Sequence, residues 1–358
     1  MNIFKGFDFV IFLAAVIITI FGLTMIWSLE PSLLPSQLTA AFLGFLVFFL
    51  FFQLDLRIFE NLSPLLYLFC LALLIFTFIL GNVTRGAVRW LNFGYFTLQT
   101  SELVKPFLII SLASLLARSQ NYQAKSIFLW LLLMAFPLFL VLKQPDLGSS
   151  LVLAAGFFGI SLSSRLPKSY LLIGFILIGV FSPIALLLLE SYQKTRLLSF
   201  LNPYNDPLGS GYHLIQSVLA VGSGGLFGKG LGKGTQSHLA FLPEHHTDFI
   251  FASLAEELGF FGALVLIACY FFLLYRILKN SQNAASNLGK LVGYGIFTML
   301  LFQIFVNIGM NTGIMPVTGI TLPLVSYGGS SFLSTMILLG IVESIAKSAR
   351  KEGTIEIK

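Results

Sequence analysis

The sequence predicts an all-α, polytopic membrane protein with about ten transmembrane helices and a large extracellular loop between the seventh and eighth. Three observations lead there. Hydrophobic residues make up 57% of the 358 positions and charged ones only 10%, so the chain cannot hide its apolar surface in one soluble core and keep a normal charged exterior. Ten apolar runs approach the roughly 20 residues that a helix needs to cross a bilayer. Between the seventh and eighth runs lies a polar stretch, about residues 191–248, that is too long for a passive connector.

The runs fall near 9–28, 36–53, 62–80, 102–117, 126–142, 148–163, 168–190, 249–275, 290–310 and 329–346. The first is not followed by a small-residue cleavage pattern, and further runs follow it. It therefore reads as a retained helix, with Met1 as the expected start of the mature chain and 1–358 as a single membrane domain. The runs at 102–117 and 148–163 are short and abut polar motifs, as expected of helices whose ends line a cavity. Inside the long loop, residues 212–221 read as a short amphipathic or re-entrant helix, followed by a glycine-rich stretch at 222–234. Neither a G-x-x-x-x-G-K-[ST] nor a G-x-G-x-x-G register fits that stretch, and no βαβ pattern surrounds it, so ATP-driven chemistry has no support. No internal repeat is visible, which argues against an inverted-repeat transporter.

The net charge of +6 comes from Lys and Arg scattered in ones and twos beside apolar runs, not from a stripe or tail that would fit nucleic acid. With the N-terminus in the cytoplasm, thirteen of the 21 cationic residues fall inside and seven outside, with Lys105 within a span; both termini are therefore expected inside. The outer seven, Arg85, Arg89, Lys143, Lys194, Arg196, Lys229 and Lys233, sit in motif-rich loops, as a site for something anionic would require. Cys70 and Cys269 lie in apolar runs and behave as small hydrophobes.

Charges at membrane depth are costly, so each is read first as a functional group or an ion pair inside the bundle. Glu102, Asp146, Asp248, Glu256, Glu257 and Glu343 qualify, and all but Glu343 lie near the outer ends of spans. Glu343 is expected to pair with Lys347 one turn on. Asp248, in Pro243-Glu244-His245-His246-Thr247-Asp248-Phe249-Ile250-Phe251, sits where the loop re-enters the membrane. Partial desolvation there favours a general base; the competing reading makes Asp248 or Thr247 the N-cap of the next helix. The neighbouring histidines lack the HExxH spacing of a zinc site. Arg89 beside Trp90 offers a guanidinium and an aromatic plate suited to phosphate and sugar, although a tryptophan at that depth also serves as a membrane-interface anchor. Glu102 and Lys105 can pair at i+3, and Asp146 in Gln144-Pro145-Asp146-Leu147-Gly148 can cap a helix. Asn307, Asn311, Pro316-Val317-Thr318-Gly319 and the stretch through Ser326-Tyr327-Gly328-Gly329-Ser330 form an uncharged segment full of helix breakers; it reads as a re-entrant cavity wall or as a tight exposed hairpin.

In order and spacing, these motifs, together with Gly86-Ala87, Gln99 and Ser101, resemble the SEDS family (shape, elongation, division and sporulation) over nearly the whole chain, to about Ala346. The resemblance implies a ten-helix enzyme of the bacterial cytoplasmic membrane. Such an enzyme polymerises lipid II, an undecaprenyl-pyrophosphate-linked disaccharide peptide, into peptidoglycan strands and works with a class B penicillin-binding protein. It also implies that Asp248 matches the family's essential aspartate, and that Trp90, Glu102, Lys105 and Asp146 match positions lining its outer cavity. Glu244 and Ser330 fall in the same motifs and are further substrate-binding candidates. On that basis Asp248 is expected to take the acceptor proton while Arg89, Lys105 and Arg196 supply charge for the departing pyrophosphate, a task that Mg²⁺ or Mn²⁺ could share. Two positions depart from the family pattern: Thr100 stands where Pro is usual and His213 where Gln is usual. The alternative readings are a lipid II flippase, which needs no base, and an ion-coupled transporter, which would place its acids at mid-membrane.

Overall fold

The structure, a computed structural model, describes residues 6–84, 87–92, 97–118, 124–167, 191–209, 211–239 and 241–355. Nine of the ten expected spans correspond to helices, and the tenth, 168–190, lies outside the described residues. Helices α1 (Phe9–Leu29), α2 (Leu34–Gln53) and α3 (Leu56–Leu80) are followed by a small antiparallel sheet of β1 (Asn82–Thr84), β2 (Ala87–Asn92) and β3 (Thr97–Gln99). Then come α4 (Thr100–Arg118), α5 (Ala124–Lys143), α6 (Leu147–Ser163), the loop helices α7 (Ser191–Leu201), α8 (Tyr212–Ser223) and α9 (Thr235–His238), and finally α10 (Ile250–Gln282), α11 (Asn287–Asn311) and α12 (Gly329–Ile355).

Local signals start these helices. Asp8, Asp55, Asp146 and Ser286 stand at N-caps, and each side chain accepts a first-turn N–H. Burial then sorts them by layer. The most apolar stretches of α4 and α12 are 78% and 83% buried, whereas those of α2 and α3 are 22% and 28%. Outer helices whose exposed faces carry Phe42 on α2 and Phe69, Phe76 and Phe78 on α3 are solvated by lipid, not water. Helix α1 approaches the segment after α11 so closely that a Cβ at Gly22 would lie 2.7 Å from the Leu324 and Val325 carbonyl oxygens.

The run at 249–275, expected as one span, is two half-helices. The chain breaks at Gly259 (φ +70°), and the glycine-rich loop is spliced into the gap. Lys229 and Gly230 N–H donate to the Glu256 and Glu257 carbonyls at 3.0 Å each, and the Gly225 and Leu226 carbonyls accept from Phe260 and Phe261 N–H at 2.9 and 3.1 Å. The backbone groups freed by the break are thereby re-satisfied, as hydrocarbon surroundings demand.

The side chains of Glu256 and Glu257, both fully buried, hold the same loop in place. Glu256 accepts from Lys229 Nζ at 2.8 Å, Gln236 N at 2.9 Å and Ser237 Oγ at 2.9 Å. Glu257 lies 2.7 Å from His238 Nε2 and accepts from Ser28 Oγ on α1. These two acids are structural tethers. At the other end of α10, Asp8 accepts from Arg276 and Asn280 and lies 3.6 Å from Arg350, which joins α1, α10 and α12. The expected Glu343–Lys347 contact is replaced by others: Glu343 Oε2 accepts from Asp8 N–H at 2.9 Å, and the Lys347 ammonium stands 4.6 Å from the Phe52 ring centroid.

Candidate active site

Two polar assemblies meet on the segment that follows α11. The first is built on β2, β3 and the starts of α4 and α6. Strand pairing sets Trp90 opposite Gln99, which carries Arg89 alongside and delivers Gln99 and Ser101 to the head of α4. The Arg89 guanidinium donates to the Gln144 and Pro145 carbonyls, closing the turn before α6. Asp146 caps α6 through Ser149 N–H, and its second oxygen accepts from Gln99 Nε2 and Ser101 Oγ, both at 2.9 Å. Ser330 Oγ accepts from Gln99 N–H at 3.0 Å, and Ser334 Oγ donates to the Glu102 carbonyl. Lys105 pairs with Glu102 at 2.5 Å, and both line a cavity of about 30 Å³ with Ser149 and Gly319-Ile320-Thr321. That space admits water, not a sugar.

The second assembly contains Asp248. Glu244 and Asp248 line a pocket of about 100 Å³ with Ser199, Phe200, His213, Leu214, Phe249 and Val317. Whole-ligand sites run to roughly 300–1,000 Å³, so this pocket has room for a small group and not for a whole ligand. Asp248 is half-buried, and Phe249 occupies the N-cap position of α10. The Thr247 hydroxyl donates to Glu244 Oε2 at 3.0 Å. Glu244 itself sits at φ +53°, a left-handed conformation in which its carbonyl accepts from Thr247 and Phe249 N–H and tightens the turn.

The expected site residues thus divide. Glu244 and Asp248 share one pocket; Glu102 and Lys105 share the other; Arg89, Asp146 and Ser330 brace the walls; Trp90 is half-buried on the sheet. The Arg196 side chain lies outside the described residues. Among the described residues no group of three His, Cys, Asp or Glu is placed to hold a metal ion. His213, a departure from the family pattern, lines the Asp248 pocket and stacks on Phe249, with ring centroids 6.2 Å apart. Ser199 and Phe200 reach the pocket from α7 and carry no signal in the sequence that would single them out.

Residues 7–351 match the family FTSW_RODA_SPOVE, described as a cell cycle protein. The peptidoglycan glycosyltransferase MrdB of Escherichia coli K12 is 41% identical over 338 residues, covering 91% of this chain and 90% of that protein. Among solved structures, a chain from work on the structural coordination of polymerization and crosslinking by a peptidoglycan synthase complex superposes with a TM-score of 0.82 at 34% identity, covering 96% and 98% of the two chains. The rod shape determining protein RodA of Thermus thermophilus superposes with a TM-score of 0.73 at 32% identity, covering 95% and 96%.

Proposed function

The chain belongs to the FTSW_RODA_SPOVE family of cell cycle proteins, and from that membership we propose that it is a peptidoglycan glycosyltransferase, polymerising lipid II during cell-wall elongation with Asp248 as general base. It is a multi-pass membrane protein, and its reaction suits that setting. An acceptor sugar hydroxyl attacks the anomeric carbon of a lipid-linked donor, the bond from that carbon to the pyrophosphate oxygen breaks, and the hydroxyl proton passes to the Asp248 carboxylate. The lipid pyrophosphate leaves with the bonding electrons, and its polyprenyl chain stays in the bilayer.

The observation that carries this reading is that the half-buried Asp248 shares a pocket with Glu244 just before the head of a membrane-spanning helix whose N-cap is Phe249. Asp248 and the Asp8–Arg276 cluster lie towards opposite ends of α10, which supports an outward-facing pocket and cytoplasmic termini. A class B penicillin-binding protein is the proposed partner, consistent with the synthase complex whose chain superposes here.

The test is a gel assay of lipid II polymerisation with purified chain, alone and with a class B penicillin-binding protein. Asp248→Asn is expected to reduce the rate by about 10²–10⁴-fold; polymer formed at the wild-type rate would remove Asp248 as base. A flippase would make no polymer in detergent with or without the partner, so the same gel separates the two readings.

A further inference from the structure

Ala252 N–H belongs to the first turn of α10, and had the helix begun one residue earlier it would bond directly to the Asp248 carbonyl, four residues back. Here the side-chain amide of Asn311, from α11, stands between them: Oδ1 accepts from Ala252 N–H at 3.0 Å and Nδ2 donates to the Asp248 carbonyl at 3.0 Å. The amide orientation follows from chemistry, because only its oxygen can receive an N–H. One turn earlier, Asn307 Nδ2 donates to the same carbonyl at 3.0 Å and to the Ile320 carbonyl at 2.6 Å. Both asparagines are fully buried.

The two preceding carbonyls are held as well. Ser326 Oγ donates to Thr247 O at 2.6 Å, and Tyr327 N–H donates to His246 O at 2.9 Å. Carbonyls 246, 247 and 248 are therefore each fixed by a donor from α11 or from the segment after it. Burying two primary amides to grip one main-chain oxygen is costly for a fold that could have begun the helix one residue earlier.

We propose that Asn307 and Asn311 are positioning residues: by occupying the Asp248 carbonyl and the Ala252 N–H, they hold Asp248 outside the first turn of α10 and set the direction in which its carboxylate enters the pocket. The inference rests on Asp248 being the base. A reacting group displaced by about 1 Å loses on the order of 10²-fold in rate, so the clamp is expected to act on turnover and not on substrate affinity.

The experiment uses the full chain reconstituted with a class B penicillin-binding protein, and measures kcat and KM for lipid II together with the unfolding temperature. Asn311→Ala, which removes the bridge between Ala252 and Asp248, is expected to lower kcat about 10- to 100-fold with KM within about twofold. Asn307→Ala, which leaves the Asn311 bridge in place, is expected to give a smaller fall in kcat. Ser217→Ala is the control: it removes a 2.8 Å bond to the Asn311 carbonyl without touching Asp248, and should leave kcat within about twofold. Full kcat per folded molecule in Asn311→Ala and Asn307→Ala overturns the clamp, as does failure of both variants to fold, which assigns the amides to the fold alone. Asp248→Asn in the same assay separates the two claims. Wild-type rate there removes the base, whereas an inactive Asp248→Asn beside a fully active Asn311→Ala removes only the clamp.

Discussion

Lys105 sets its ammonium 2.5 Å from Glu102 Oε1, one turn back along α4, and neither side chain has more than slight solvent contact. In such a pair each charge is tolerable only because the other is present, so removing one partner costs about 3–5 kcal/mol while removing both costs far less. Glu102→Gln and Lys105→Met are each expected to lower the unfolding temperature in detergent. The double variant should recover most of the loss, and one as unstable as either single variant would contradict mutual neutralisation.

Gly259 is the point at which α10 gives way to the glycine-rich loop. A Cβ there would lie 2.2 Å from Gly228 N and 2.6 Å from Phe227 C, main-chain atoms that cannot swing aside, at a φ that disfavours any side chain. Gly259→Ala is expected to destabilise by about 1–3 kcal/mol and to release the loop. Hydrogen exchange of the Lys229 and Gly230 amides, now bonded to the Glu256 and Glu257 carbonyls, reports it; unchanged protection would show that the splice tolerates a side chain.

Asp8 links pH to stability at the other end of the bundle. Burial pushes its carboxyl up, but hydrogen bonds from Asn280 and Arg276 and the charge of Arg276 outweigh that and hold it below its ordinary value. A carboxyl lowered in the folded state stabilises fully above its unfolded value, near 4, and that stabilisation is lost as pH falls through the lowered one. The unfolding temperature of the wild type should exceed that of Asp8→Asn by a constant margin above about pH 5, and the margin should close below about pH 4. A margin independent of pH across that window would rule out the ionised form as the stabilising one.

Among the described residues, nothing pairs with the buried hydroxyl of Thr100 at the head of α4. An unsatisfied buried hydroxyl costs about 1–3 kcal/mol, so Thr100→Val, which keeps the shape and removes the polar atom, is expected to raise the unfolding temperature. A fall would mean that the hydroxyl is satisfied in the membrane-embedded protein.

How much of this was legible in the sequence depended on how far each residue had to reach. The spans can be read from the chain alone, because a bilayer fixes the length and polarity of whatever crosses it, and each run declares itself without reference to the rest. So can what is settled within a turn or so of helix: Asp146 as a cap, Glu102 with Lys105, and Asp248 at the junction of loop and helix. The sheet escaped notice because strands of three to six residues leave too short an alternation to read. The break at Gly259 lay hidden inside a run of unbroken apolarity.

Which distant group answers each buried polar one is a matter of packing. Arg89 closes a turn 55 residues away, Glu343 receives an N–H from 335 residues away, and Asn311 accepts a first-turn helix N–H 59 residues before it. Hydrophobic periodicity records which face of a helix is buried but not what it is buried against, whereas an amide or carboxylate removed from water must find a partner wherever packing happens to supply one.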